Sequence, residues 1–322
     1  VSKIAEKPPA ARWRQDRTEL FTHSQGRRFG KMRNLSAKPA VTKGEAAFGH
    51  HLDGGVLGCD LCPRFCELAP GERGWCGTRY NKNNRLWASN YGWLSLLQFD
   101  RVESVPLAEY ANGGTVVKLG SFGCNFIPSG GERDLLKAES VSGRVFQPRD
   151  VAGICRNLVS QGCIGAAYVY AEPLLWYEFV IQTAMLLKKC DMRNIIATVG
   201  FINPRPLQEL LPYLDAARFD LFAFDPQYYR DNLKISFASV LHSLKILADS
   251  PVHLEVSTPI LFGKNDDPQM IGAIAAYLAK TYNPDLPYHL VAPKKELSPD
   301  EEEKIMTCAD AAGRFLNRVY LS

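Results

Sequence analysis

Residues 165–170 read Gly-Ala-Ala-Tyr-Val-Tyr and residues 194–199 read Asn-Ile-Ile-Ala-Thr-Val, with a helix-like stretch, 174–189, between them. Short apolar or β-branched runs bounded by Gly, Pro, Asn or Asp are strand signals. Two such runs joined through a helix form a β-α-β unit, whose strands run parallel because the crossover returns the chain to the same end of the sheet. The pattern extends both ways, with strand candidates at 115–120, 219–224, 253–258 and 288–291 and helical patterns at 149–160, 206–214, 236–248 and 268–282. A final helix is expected from Ser298-Pro299-Asp300, where Ser298 can cap and Glu301, Glu302 and Glu303 suit the positive end of the helix dipole. Residues 319–321 can add one last strand. The reading is an α/β fold: a parallel sheet with helices outside, open or curled into a barrel.

At 322 residues the chain is long enough to bury a full core. Its 46% hydrophobic and 22% charged residues place it among globular chains rather than disordered ones. No apolar run reaches the 18 residues of a membrane span, and no signal-peptide pattern is present, so a cytoplasmic protein without membrane insertion is expected. The basic, acid-poor start leaves organellar targeting open. A net charge of +4 is too small to imply nucleic acid. Residues 1–50 hold eleven Lys or Arg against four Asp or Glu and little apolar periodicity, and read as an extended basic arm that lies along another protein subunit or stays unfolded.

Four of nine cysteines fall together in Cys59-Asp-Leu-Cys62-Pro-Arg-Phe-Cys66, then, after nine intervening residues, Cys76. Gly71 and Gly74 allow a turn that returns Cys76 to the first three. Clustered cysteines in a chain with no secretion signal read as metal ligands rather than disulfides. Zinc usually takes two separate C-x-x-C knuckles, whereas these spacings with Cys-Pro are closer to iron–sulfur ligation, so a [4Fe-4S] cluster is expected, with zinc as the alternative. All four thiolates on one cluster would leave no iron open to a substrate. Cys155, Cys163, Cys190 and Cys308 read as buried small apolar residues, His289 as a satisfied core histidine, and the pair His50-His51 as a weak candidate for assisting the metal.

The string 59–66 together with Gly71-Glu-Arg-Gly74-Trp-Cys76-Gly-Thr-Arg79-Tyr-Asn81 resembles the N-terminal module of radical S-adenosylmethionine (SAM) proteins related to pyruvate formate-lyase activating enzyme, and most nearly the AmmeMemoRadiSam-system radical SAM family. The correspondence continues in order through Gly123-Cys124-Asn125-Phe126, Tyr170-Ala171-Glu172-Pro173, Asp220-Leu221, Glu255-Val-Ser-Thr258 and Pro287-Tyr-His289-Leu290. The resemblance implies a partial (β/α) TIM-like barrel. It divides the chain into the arm 1–50, a Cys-rich metal-binding module 51–110 and a barrel 111–322.

In that family a C-x-x-x-C-x-x-C segment after the first strand holds three irons of the catalytic cluster, and the fourth iron binds SAM. Here Cys124 occupies the first ligand position, but Pro128 and Gly131 occupy the second and third, and neither side chain can bind iron. Family polar positions have also become Ala171, Val199 and Phe222, and a C-terminal Phe-His-Pro has become Ala292-Pro293-Lys294. Glu172 keeps the position that contacts the SAM amino group. The implied reading is a catalytically degenerate homologue with no catalytic residue, carrying a structural or electron-relay cluster on Cys59, Cys62, Cys66 and Cys76 within a larger assembly. Two alternatives stand beside it: an active enzyme using a noncanonical cluster on those cysteines, and a module that binds SAM at Glu172 without turnover.

Overall fold

The computed structural model describes residues 44–127, 142–293 and 296–322. The strands are β1 Gly44–Glu45, β2 Gly49–His51, β3 Leu57–Cys59, β4 Cys66–Leu68, β5 Arg79–Lys82, β6 Arg85–Ala88, β7 Trp93–Leu94, β8 Leu96–Arg101, β9 Thr115–Gly120, β10 Arg144–Val145, β11 Cys163–Tyr168, β12 Arg193–Thr198, β13 Ala216–Asp220, β14 His253–Pro259, β15 Tyr288–Val291 and β16 Val319–Leu321. The helices are α1 Pro148–Asn157, α2 Tyr177–Lys188, α3 Pro204–Leu210, the single turn α4 Pro226–Tyr228, α5 Phe237–Ala248, α6 Pro268–Thr281 and α7 Pro299–Gly313.

The main sheet has eight strands in the order β16-β15-β14-β13-β12-β11-β9-β8, parallel from β9 to β16. β8 is the exception: it runs antiparallel to β9, with Leu96 opposite Gly120 and Arg101 opposite Thr115. The last part of the segment 51–110 therefore builds the sheet itself. Residues 219–224, expected as a strand, divide instead. β13 starts three residues earlier on the small, buried Ala216 and Ala217, and Leu221, Phe222 and Ala223 leave the strand to pack as a buried loop.

Helices follow the strands and cover one sheet face, contributing Val151, Phe179, Leu207, Val240, Ile271 and Cys308 to the main core. The first turn of α7 forms a reciprocal cap between Ser298 and Glu301, as its sequence suggests. The other face is plugged by the segment after β8: Val102, Val105 and Leu107 pack on Val116, Ala167, Ile195, Ala197 and Ala216. Buried Glu255 on β14 fixes this plug by accepting the backbone N–H groups of Ala108 and Glu109 at 2.8 and 2.9 Å, and it also pairs with His253 and His289 at 2.9 and 2.7 Å. The neighbouring Glu109 carboxylate takes Arg318 and Tyr320 from beside and within β16. The chain leaving one edge of the sheet thus touches the strand at the other edge, so the sheet is curled. Among the described residues β8 and β16 do not pair, which leaves the barrel open. No helix among the described residues is long and apolar enough to cross a membrane.

Two three-stranded sheets, β2-β3-β4 and β1-β6-β5, precede β8. They are too small to bury a core of their own, and Leu57, Leu61, Leu68 and Leu86 join the main one. The arm is outside the described residues as far as residue 43, as are Pro128, Gly131 and Lys294.

Candidate metal centre

The four clustered cysteines arrive from two directions. β3 and β4 pair with Cys59 opposite Cys66, and the tight connection between them carries Cys62. In that connection Phe65 takes φ 44 and stays 59% exposed, an uncommon conformation for a bulky residue. Cys76 comes from the turn 71–77, closed by Gly74 N–H to Arg79 O and Gly77 N–H to Gly74 O, at 2.8 and 2.9 Å. All four thiols line one small recess, with Leu61, Arg64, Gly74, Arg79 and Leu175. Cys59, Cys62 and Cys76 are buried and Cys66 is half-buried. Among the described residues no three Cys, His, Asp or Glu side chains already stand as close as one bound metal ion requires.

Burial pushes the Cys59 thiol up to about 11 and Cys62 to about 12, and raises Cys66 as well. Repulsion from the neighbouring thiolates adds to each. A cationic centre in the recess removes that opposition, since metal binding requires and stabilises thiolates.

Arg79 supplies positive charge beside them. Its side chain is 1% exposed, and Nη1 donates to Glu178 Oε1 of α2 at 2.7 Å. Nε and Nη2 are buried with no hydrogen-bond partner among the described residues. Burial alone works against its charge, and Glu178, followed by the Cys59 and Cys76 thiolates, more than restores it. Glu178 Oε1 also accepts Ala47 N–H at 2.8 Å, so one carboxylate ties the first described strands to α2.

The recess sits against segments that follow the C-terminal ends of strands, the end at which open α/β sheets bind ligands. Asn203, after β12, donates its side-chain N–H to Asp60 O at 2.7 Å and its backbone N–H to Leu61 O at 3.1 Å. Arg64 reaches Asn125 O after β9 and Lys234 O after β13 at 3.1 and 2.6 Å, with its guanidinium 3.7 Å from the Trp75 ring centre. Cys124 N–H bonds Cys76 O at 3.3 Å. Between these loops Gly123 lies at φ 111, and a Cβ there would stand 2.2 Å from Thr78 Cγ2. Only glycine permits that approach.

Cys124 is close to the recess but does not line it. Its thiol is buried and donates to Phe126 O at 3.1 Å. Glu172 is likewise turned inward at 2% exposure. Oε1 accepts Leu174 N–H at 3.1 Å and the Thr198 hydroxyl at 2.6 Å, and Oε2 accepts Val199 N–H at 3.1 Å. Burial pushes its carboxyl up to about 7 against those three donors. The carboxylate therefore braces the ends of β11 and β12. Ala171 and Tyr170 before it take φ 56 and 63, and Val199 and Phe222 are buried.

His50 pairs with Asp60 at 2.8 Å and is no part of the recess lining. Cys155, Cys163 and Cys308 are buried, as expected, whereas Cys190 is exposed because it sits in the turn between α2 and β12. Arg79 and Glu178 were not singled out by sequence; only the position of Arg79 three residues after Cys76 hinted at it.

Residues 124–278 match the model of the Radical SAM superfamily. The Uncharacterized protein MJ0808 of Methanocaldococcus jannaschii is 28% identical over 248 residues, covering 76% of this chain and 73% of that protein. The indoleacetate decarboxylase activating enzyme of Tractidigestivibacter scatoligenes is 27% identical over 162 residues, 48% of this chain and 50% of that enzyme, so the chain spans about half its length. A solved domain of pyruvate-formate lyase-activating enzyme from Bacteroides vulgatus gives a TM-score of 0.44 at 17% identity, covering 49% of this chain and 98% of that one. The similarity to the Radical SAM superfamily thus runs from Cys124 into α6.

Proposed function

We propose that this chain is a catalytically retired radical SAM homologue, nearest to the AmmeMemoRadiSam-system family, whose cluster is structural or relays electrons within a larger assembly. The observation that carries the reading is the placement of cysteines: four thiols surround one recess, while Cys124, the single remnant of the three-cysteine motif, hydrogen-bonds within its own loop. The donor set fits a [4Fe-4S] cluster, and the buried Arg79 N–H groups beside it, unpartnered among the described residues, suit an anionic centre. Cys59, Cys62, Cys66 and Cys76 would hold the group, which when bound supplies one-electron transfer and cross-links the loop 59–66 to the turn 71–77. With four thiolate ligands it offers no iron to SAM. Leu61, Leu175 and the buried thiols keep water away, and Arg79 balances the charge. Glu172, whose acceptors already brace β11 and β12, is not used for SAM in this reading. The basic arm 1–50 serves as the tether to partner subunits, and the chain acts in the cytoplasm or an organelle matrix.

The test is anaerobic purification followed by iron, sulfide and zinc analysis, with electron paramagnetic resonance of the dithionite-reduced protein with and without SAM. About four irons per chain and a spectrum unmoved by SAM are expected. A SAM-dependent shift would reveal an open iron and make the chain an active enzyme. Zinc without iron would make the centre purely structural.

A further inference from the structure

We propose that Arg79 is a positioning residue for the Cys59–Cys76 centre, donating hydrogen bonds to its sulfurs and setting its reduction potential through an ion pair with Glu178. This rests on reading the recess as an iron–sulfur site. The argument starts from an imbalance. A guanidinium carries five N–H groups and no acceptor, and the Arg79 side chain is 1% exposed. Of the Arg79 nitrogens only Nη1 donates to Glu178; Nε, with one N–H, and Nη2, with two, are buried without a partner among the described residues. Buried donors left unpaired are strongly unfavourable, and more so on a charged group.

Among the described residues Glu178 is the only anionic partner that the Arg79 side chain hydrogen-bonds, and the Nη1 contact is complete without Nε or Nη2. Arg79 instead lines the recess together with Cys59, Cys62, Cys66 and Cys76. Neutral thiols are weak acceptors, whereas thiolate and sulfide sulfurs of a bound cluster are good ones, and hydrogen bonds to those sulfurs tune its potential. The unpaired donors thus find acceptors when the recess is filled.

The electrostatic consequence follows from charge. Four thiolates around an oxidised four-iron core give a net charge of about −2, and the one-electron reduced form about −3. A buried cation beside the centre stabilises the more negative form, so it raises the potential. Glu178 partly cancels that cation. Removing Glu178 alone must therefore shift the potential up, and removing both charges must shift it down. A residue that merely packed would not produce opposite signs.

The experiment is a dithionite redox titration of the full chain followed by electron paramagnetic resonance, in wild type, Glu178→Gln, Arg79→Lys and the double variant Arg79→Met/Glu178→Gln, each checked for iron content and circular dichroism. The double variant is expected to make reduction at least tenfold less favourable, about 59 mV lower for one electron. Glu178→Gln is expected to raise the potential, and Arg79→Lys to stay nearer wild type than the double variant does. Should the double variant fail to fold, Glu178→Gln alone decides by the sign of its shift. An iron-loaded double variant within error of wild type, or a Glu178→Gln chain that does not move upward, overturns the role of Arg79 while leaving the cluster intact. Wild-type protein without iron overturns the cluster and this role together.

Discussion

Replacing Glu172 with Gln separates a bracing carboxyl from one kept for a ligand. In the folded chain the group accepts three hydrogen bonds, and burial raises its carboxyl from an ordinary 4.5 to about 7. The folded state therefore binds a proton more tightly than the unfolded state does. Its effect is fully present below about 4.5, and wild-type stability falls as pH rises through the window from 4.5 to 7. A displacement of that size is worth on the order of 3 kcal/mol. Gln has no such titration, but its amide N–H₂ would face one of the donors, Val199 N–H or Thr198 and Leu174, at a loss of about 1–3 kcal/mol. The Glu172→Gln protein should thus be less stable than wild type at pH 5 and lose that disadvantage, or reverse it, at pH 8. Urea titrations at the two pH values, read by far-ultraviolet circular dichroism, measure the gap. A gap equal at both would show that Glu172 titrates normally, and the bracing account would fail.

Ala171 holds φ 56, which asparagine adopts at less strain, so Ala171→Asn should raise stability by roughly 0.5–1 kcal/mol in the same urea assay. Leu61 is 1% exposed where the cysteine loop meets the barrel, and Leu61→Ala should lower stability by about 2–5 kcal/mol, read from the shift in the urea midpoint. Hydrogen bonds from His253, His289 and the plug, opposed by burial, hold Glu255 down at about 2. The stability it supplies is present above about 4.5 and is lost as pH falls toward 2, so the Glu255→Gln chain should show a flatter melting temperature than wild type across that window. Identical slopes would count against the pairing.

Strands β9, β11, β12, β14, β15 and β16 were legible because each is a short apolar or β-branched run with breakers at its ends. β13 was displaced toward its aromatic end because Ala216 and Ala217 give a weak strand signal, while Leu221, Phe222 and Ala223 are buried without being paired. β8 was hidden for another reason: nothing local in Leu96–Arg101 says that its partner is the strand starting at Thr115. The site divides in the same way. Cysteine spacing is a local signal and shows at once. The Arg79–Glu178 pair joins residues 99 apart, and the inward turn of Glu172 depends on Thr198 and Val199 from the next strand. Such partners exist only once the sheet has formed.

Arg64 stands between Cys62 and Cys66, stacks on Trp75 and holds the carbonyls of Asn125 and Lys234 on two barrel loops. A chelator or thiol reagent seeking the buried Cys62 must wait until those contacts let go together. Access to Cys62, unlike access to the half-buried Cys66, is then governed by local opening of those contacts. The lifetime of whatever the four thiols hold is written partly into loops that contribute no ligand.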